Sequence, residues 1–141
     1  FSSGGIFWNN VRSLLLAVLL GFFSLGIVAL LLLAAPIGIL AYLLPQIGAL
    51  GISSWQMLAV GVLPHGIFEM TAAVLVTAYA LRLGMTFLRT PEKDGTMRSL
   101  ARDIGQFCKF FLSVALPLLL AAAWIEAEVS SRLVIAYLNG L

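Results

Sequence analysis

The sequence predicts an all-α membrane protein, a polytopic transmembrane helical bundle with three full spanning helices and a re-entrant or broken hairpin of short helices. Hydrophobic residues make up 62% of the 141 residues and charged residues 10%, whereas soluble domains have about 45–50% and about 25%. Residues 13–64 form a run of 52 without an ionised side chain. As one helix they would extend about 78 Å, more than twice a hydrocarbon core of about 30 Å. We therefore expect a single integral membrane domain, residues 1–141, whose chain folds back within the bilayer.

The first part of this run predicts a spanning helix over about 13–35, which is rich in leucine. Asn9 and Asn10 precede it, and either could cap its N-terminus. The segment 36–63 is different, because its apolar pieces of nine and eleven residues are each shorter than the roughly 17 needed to span. A Pro- and Gly-rich stretch joins these pieces. We therefore expect a re-entrant or broken hairpin over 36–63.

Two further spanning helices are expected at about 65–87 and 108–128. Pro64 suits the first turn of the earlier one, where a missing N–H costs nothing. Pro117 lies in the middle of the later one and should kink it. Small residues suited to close packing of membrane helices occur in both, namely Ala72, Ala73, Thr77, Ala80 and 121–123.

The polar loop 88–107 carries the information on orientation. Six of the eight Lys and Arg residues lie in or beside it: Arg82, Arg89, Lys93, Arg98, Arg102 and Lys109. By the positive-inside rule this loop is cytoplasmic, in a protein integral to the cytoplasmic membrane. Residues 96–106 could form a short surface helix. Arg12 favours a cytoplasmic N-terminus as well, so that the first helix runs outward, the His65 helix runs inward, and the segment between them crosses twice or not at all.

Charge and residue counts exclude several classes of function. A net charge of +2 is too small for nucleic-acid binding. One cysteine, Cys108, excludes an internal disulfide and a cysteine-based metal cluster. One histidine argues against a zinc protease, which needs a pair of imidazoles on one helix face. We expect no enzymatic activity, cofactor or metal.

Three ionisable residues stand out because charge is costly inside a membrane. His65 precedes Arg82 by 17 residues, and Glu126 follows Lys109 by 17. In two antiparallel helices joined by the basic loop, His65 and Glu126 should therefore lie at the same depth. Glu69 is one helical turn from His65 on the same face. This cluster is either a structural tie between helices or a proton or cation site.

These pieces resemble a known family. LPHGIFEMTAAVLVTAYALRLG is similar to the signature helix of the stage II sporulation protein M family, and FWNNVRSLLLAVLLGFFSLG and PLLLAAAWIEAEVS resemble its opening and final helices. Position by position, the motif residues are Asn10, Pro64, His65, Gly66, Glu69, Pro117 and Glu126. The middle of the chain departs from the pattern, reading Ala-Ala-Pro-Ile-Gly where relatives tend to have an Asn-Gly step.

The resemblance implies a non-enzymatic membrane scaffold or complex subunit. In spore formers the namesake anchors machinery that remodels peptidoglycan in the cell envelope. One alternative is a small transporter or channel component that uses the His/Glu site, and another is an accessory subunit of a large membrane complex. Expected partners are membrane lipids and other membrane subunits or a second copy of the chain, with no nucleic acid. A small-molecule substrate is left open.

Overall fold

The structure, a computed structural model, describes residues 2–86 and 96–140, and these are helical almost throughout. The helices are α1 Ser3–Phe23, α2 Ile27–Ala49, α3 Ser54–Gly61, α4 Leu63–Met85, α5 Thr96–Phe110, α6 Leu116–Ile125 and α7 Ser131–Asn139. Within these described residues, four helices are long and apolar enough to cross a membrane: α1, α2, α4, and the continuous helix Met97–Asn139 that extends through α5, α6 and α7. The all-α membrane class is confirmed.

The first reversal of the chain lies earlier than the sequence predicted. α1 ends at Phe23, and the turn that follows contains Leu25 at φ 54° and Gly26 at φ 93°. The Gly26 N–H donates to the Gly21 carbonyl at 2.6 Å, and the hydroxyl of Ser24 accepts the N–H of Val28 at 3.0 Å. These bonds end one helix and begin the next, so the expected span at 13–35 is wrong.

The expected hairpin over 36–63 is not seen either. α2 continues through Pro36 and Pro45 to Ala49, because membrane helices tolerate proline where neighbouring groups satisfy the freed carbonyls. Only α3 is short. It is tied to α2 by the Ser54 hydroxyl, which donates to the Leu44 carbonyl at 2.6 Å.

The contacts between helices fix their directions. α1 and α4 run parallel: Asn10 bonds to Glu69 near their starts, and a Cβ built on Gly21 would lie 3.0 Å from the Ala80 Cβ near their ends. The final helix is antiparallel to α4. The start of α1 therefore lies at the end of the bundle opposite to Arg82, which contradicts the shared cytoplasmic side inferred from Arg12.

Small side chains form the core where α1, α2 and α4 approach most closely. Ala29, Ala72 and Ala80 are completely buried, in agreement with the expected close packing. A Cβ on Gly21 would lie 2.8 Å from that of Ala29, and one on Gly84 would lie 2.9 Å from the Cα of Leu25. Glycine at 21 and 84 therefore allows the helix backbones to lie this close together. Of the α2 side chains, Ala29 alone is buried.

The last helix is 43 residues long, about 65 Å at 1.5 Å per residue, so it extends beyond the hydrocarbon core. Two π-helical turns interrupt it, Phe111–Ala115 and Glu126–Ser130. The first immediately precedes Pro117, whose missing N–H and ring disturb the regular bonding of the preceding turn. The helix expected at 96–106 exists, but it belongs to this long helix. Arg89 and Lys93 of the predicted loop lie outside the described residues.

Candidate functional site

A hydrogen bond between two side chains within the membrane region joins α1 to α4. The Asn10 amide donates to Oε1 of Glu69, and both side chains are partly buried. Asn10 lies two turns inside α1, and the cap of that helix is Ser2, which accepts the Gly5 N–H at 3.3 Å. The interpretation of Asn9 or Asn10 as the cap is therefore wrong. Sequence reasoning missed the contact, although an asparagine in an apolar helix was a signal that it needs a partner.

A second hydrogen bond joins α4 to the final helix at the same end of the bundle. Nδ1 of His65 lies 3.1 Å from the Ser130 hydroxyl, and Ser130 is 3% exposed. Ser130 ends the second π-helical turn, in which the Ser131 N–H and hydroxyl both donate to the Glu126 carbonyl. Such turns are often found at functional sites because they redirect side chains.

The three ionisable residues singled out in the sequence lie near this end. His65 and Glu126 are both near enough to act electrostatically on Glu69. Their direct hydrogen-bond partners are different residues, however, since Glu69 bonds to Asn10 and His65 to Ser130. The structure brings the cluster together, and its role as a tie or as an ion site stays a prediction.

A cavity of about 460 Å³ adjoins these polar residues. It lies between α1, α2 and α4, and Leu119 of α6 also lines it. Its α1 wall ends at Ala17 and its α2 wall begins at Leu32, so it stops about one turn short of the close contact between Gly21 and Ala29. α2 separates from the other two helices beyond that contact and leaves the space open.

The polar lining of the cavity is concentrated at one end. Asn9, Asn10 and Ser13 of α1 face His65 and Glu69 of α4 there. Aliphatic side chains and Thr77 form the rest. The two ionisable lining residues are His65 and Glu69; among the described residues no lysine or arginine contributes. Such an arrangement can hold a proton, a cation or a hydrogen-bond donor beside an apolar surface.

The opposite end of the bundle has a different polar contact. Arg82 of α4 donates to Oδ1 of Asp103 at 2.6 Å, and the Thr86 hydroxyl donates to Oδ2 at 3.1 Å. The Asp103 side chain is 6% exposed and that of Arg82 is 41% exposed. This contact fixes α5 against the end of α4. The sequence did not predict this contact, because counting residues placed Arg82 at the same depth as Lys109 and said nothing of Asp103.

The remaining residues of the family motif are Pro64, Gly66 and Pro117. Pro64 lies in the first turn of α4, as predicted. Gly66 lines the cavity, and a Cβ there would meet only Val62, at 3.5 Å. Pro117 lies in the first turn of α6 and borders a separate groove together with Phe7 and Trp124.

Within residues 2–86 and 96–140, no group of three or more His, Cys, Asp or Glu side chains is arranged to hold a metal ion. Searches of curated proteins and of solved structures gave no match. The family model described as Stage II sporulation protein M matches residues 1–131, which covers all three pieces of sequence that carry the resemblance. The chain therefore belongs to the stage II sporulation protein M family.

Proposed function

We propose that the protein is a non-enzymatic scaffold or complex subunit of the cytoplasmic membrane. The use of its polar side chains supports this proposal. Asn10–Glu69, His65–Ser130, Arg82–Asp103 and the 2.9 Å bond from Tyr137 to Gln56 each join two different helices. Polar side chains that bond to one another between helices stabilise the bundle. They do not form the pair of a nucleophile and an activating base that nucleophilic catalysis needs.

The observation that carries the proposal is the basic face of α5. Arg98, Arg102 and Lys109 lie within about 40° of one another around the helix, at about 100° per residue. All three are exposed. The contact between Asp103 and Arg82 holds α5 against α4, so this face has a fixed orientation. We infer that it binds an acidic surface of a protein partner.

The same face sets the proposed orientation. The positive-inside rule places α5 and the end of α4 in the cytoplasm. Because α1 is parallel to α4, the start of α1, with α3 and α7, then lies on the outer side. Envelope-remodelling machinery of the kind associated with the family namesake would be anchored through this framework, with partner contacts on both sides of the membrane.

Purification from native membranes in a mild detergent tests the proposal. The tagged protein is compared with the double variant Arg98→Glu/Arg102→Glu. Arg132→Glu is the matched control, since Arg132 is exposed at the other end and pairs with Glu128 on its own helix. We expect a stoichiometric partner with the wild type and the control, and its loss in the double variant. Identical recovery of partners with all three proteins would contradict a role for this face.

Proton or cation transport is a second candidate, favoured by the cavity that His65 and Glu69 line. Its test is a pH-gradient flux assay with the protein in liposomes, comparing the wild type with Glu69→Gln and Glu126→Gln. Flux that both substitutions abolish would favour transport. No flux above that of empty liposomes, with the pH gradient imposed in either direction, would remove this candidate.

A further inference from the structure

The cavity between α1, α2 and α4 has the dimensions and polarity of a ligand site. Its volume of about 460 Å³ lies within the range of about 300–1,000 Å³ that is usual for small-molecule pockets. Glu69 and Thr77 both line the cavity, and they are eight residues apart, or about 12 Å along α4. The space is therefore elongated along the axis of α4.

Polarity changes along this length. His65, Glu69 and Asn10 lie at the end near the start of α4, whereas Leu32, Leu33 and Ala73 line the part nearer the close contact of the helices. A molecule that matches this gradient has a small polar head and one apolar chain. Its head would lie at the membrane surface opposite to Arg82, and its chain would point towards the bilayer centre.

The charges of the lining residues determine which polar head group the cavity can bind. Glu69 supplies a carboxylate to the cavity, and Glu126 is near enough to act on it. His65 is the other ionisable group in the lining, and its Nδ1 is engaged with Ser130. Asn10 donates to Oε1 of Glu69; within the described part of the chain, no side chain or backbone N–H bonds to Oε2. That oxygen can accept a hydrogen bond from a cationic donor, the stronger class of hydrogen bond.

We propose that this cavity binds an amphiphile with a primary ammonium head and a single chain in the apolar part, the ammonium donating to Glu69. Binding at this site does not depend on the basic face of α5, and it uses the oxygen of Glu69 that does not bond to Asn10. The same head chemistry could belong to a free long-chain amine or to a bilayer lipid with an ethanolamine head. Either source presents N–H donors and a positive charge to the carboxylate.

The test is saturable binding of radiolabelled decylamine to the purified full chain in dodecyl maltoside, measured by scintillation proximity. Unlabelled decylamine, decanol and decanoate serve as competitors, because they share one chain length and differ in head charge. We expect decylamine to compete at least tenfold better than decanol, and decanoate to compete least. Equal competition by all three, or binding that does not saturate, would overturn the proposal.

Two substitutions locate the site. Glu69→Gln removes the charge but keeps an oxygen for the Asn10 amide, and it should weaken decylamine binding about tenfold or more. Ala73→Leu should abolish binding by filling the apolar part. The matched controls are Glu128→Gln, a surface carboxylate paired with Arg132, and Ala78→Leu on the exposed face of α4. Wild-type affinity in Glu69→Gln and Ala73→Leu, or equal losses in the controls, would refute the location.

The source of the head group is tested with lipids in the same micelles. Displacement of decylamine by phosphatidylethanolamine, and not by phosphatidylcholine, whose quaternary ammonium has no N–H, would support a bilayer lipid. Displacement by neither lipid would support a free amine. Displacement by phosphatidylcholine as effectively as by phosphatidylethanolamine would contradict recognition through N–H donors. Monodisperse elution of every variant in size-exclusion chromatography separates a lost site from a lost fold.

Discussion

Replacing Gly84 by alanine tests whether close approach of α4 to the α1–α2 turn holds the bundle together. The added Cβ would lie 2.9 Å from the Cα of Leu25, 3.0 Å from its carbonyl carbon and 3.2 Å from the Gly21 carbonyl oxygen. All three are backbone atoms, so no side chain can rotate away. Overpacking of this kind costs about 1–3 kcal/mol.

The change also has a favourable part, because alanine in a helix interior is better than glycine by about 1 kcal/mol. Gly38→Ala corrects for it. Gly38 lies in α2, and a Cβ there would meet nothing within 4 Å. The difference in unfolding free energy between the two variants isolates the steric cost, and we expect Gly84→Ala to be less stable than Gly38→Ala by about 1–3 kcal/mol.

The measurement is unfolding by sodium dodecyl sulfate in dodecyl maltoside micelles, followed by far-ultraviolet circular dichroism. Both variants must unfold with the wild-type slope for the free energies to be comparable. If the two variants agree within about 0.5 kcal/mol, the ordinary margin for a substitution without a special environment, the close contact at Gly84 does not contribute to the stability of the bundle.

The remaining predictions concern polar contacts and direction. Asp103→Ala should lower the unfolding free energy by about 1.5–3 kcal/mol in the same assay, since Asp103 accepts two hydrogen bonds, one of them from a charged group. The control Glu128→Ala breaks an exposed pair and should lower it by less than about 1 kcal/mol. Equal losses in the two variants would contradict a stabilising role for the Asp103 contact. A double-mutant cycle with Asn10→Ala and Glu69→Ala should give a coupling of about 0.6 kcal/mol, the average for polar contacts in membrane bundles, and at most about 1.7 kcal/mol, whereas zero coupling would show that the bond is not formed. In a Cys108→Ser background, single cysteines at the exposed positions Gly4 and Met97 should react with an impermeant maleimide from opposite sides of the membrane, and labelling from one side would contradict the parallel arrangement of α1 and α4.

Sequence reasoning identified the membrane from the composition and the helical class from the lengths of the apolar runs. It placed the first turn wrongly because hydropathy does not fall at Ser24, Leu25 and Gly26: the turn is made by a left-handed backbone and a serine hydroxyl within an apolar run. Pro36 suggested a break that did not occur. Proline is a weaker signal inside a membrane than in a soluble helix.

The candidate site was predicted in part. Equal counts of 17 residues predicted His65 and Glu126 at one depth, and both lie near the same end of the bundle, but a count gives depth and not direction around the helix. The π-helical turns alter that direction, so that Ser130 and not Glu126 bonds to His65. Asn10 could be paired with Glu69 only once α1 and α4 were known to run parallel. The inference from Arg12 that the start of α1 and the basic loop lie on the same side concealed that contact.

The two ends of the bundle differ in how closely the backbones of α1, α2 and α4 approach one another, and this difference decides which experiments can separate function from stability. At the Gly84 end, backbones touch, and an added methyl group has no space. At the Glu69 end, α2 has separated from α1 and α4, and the helices are joined by hydrogen bonds that contribute on average about 0.6 kcal/mol each in membrane bundles. Single changes such as Glu69→Gln therefore remove little stability. A large functional loss on this substitution, in a chain that still elutes as a single species, would reflect the chemistry of the cavity and not the collapse of the fold.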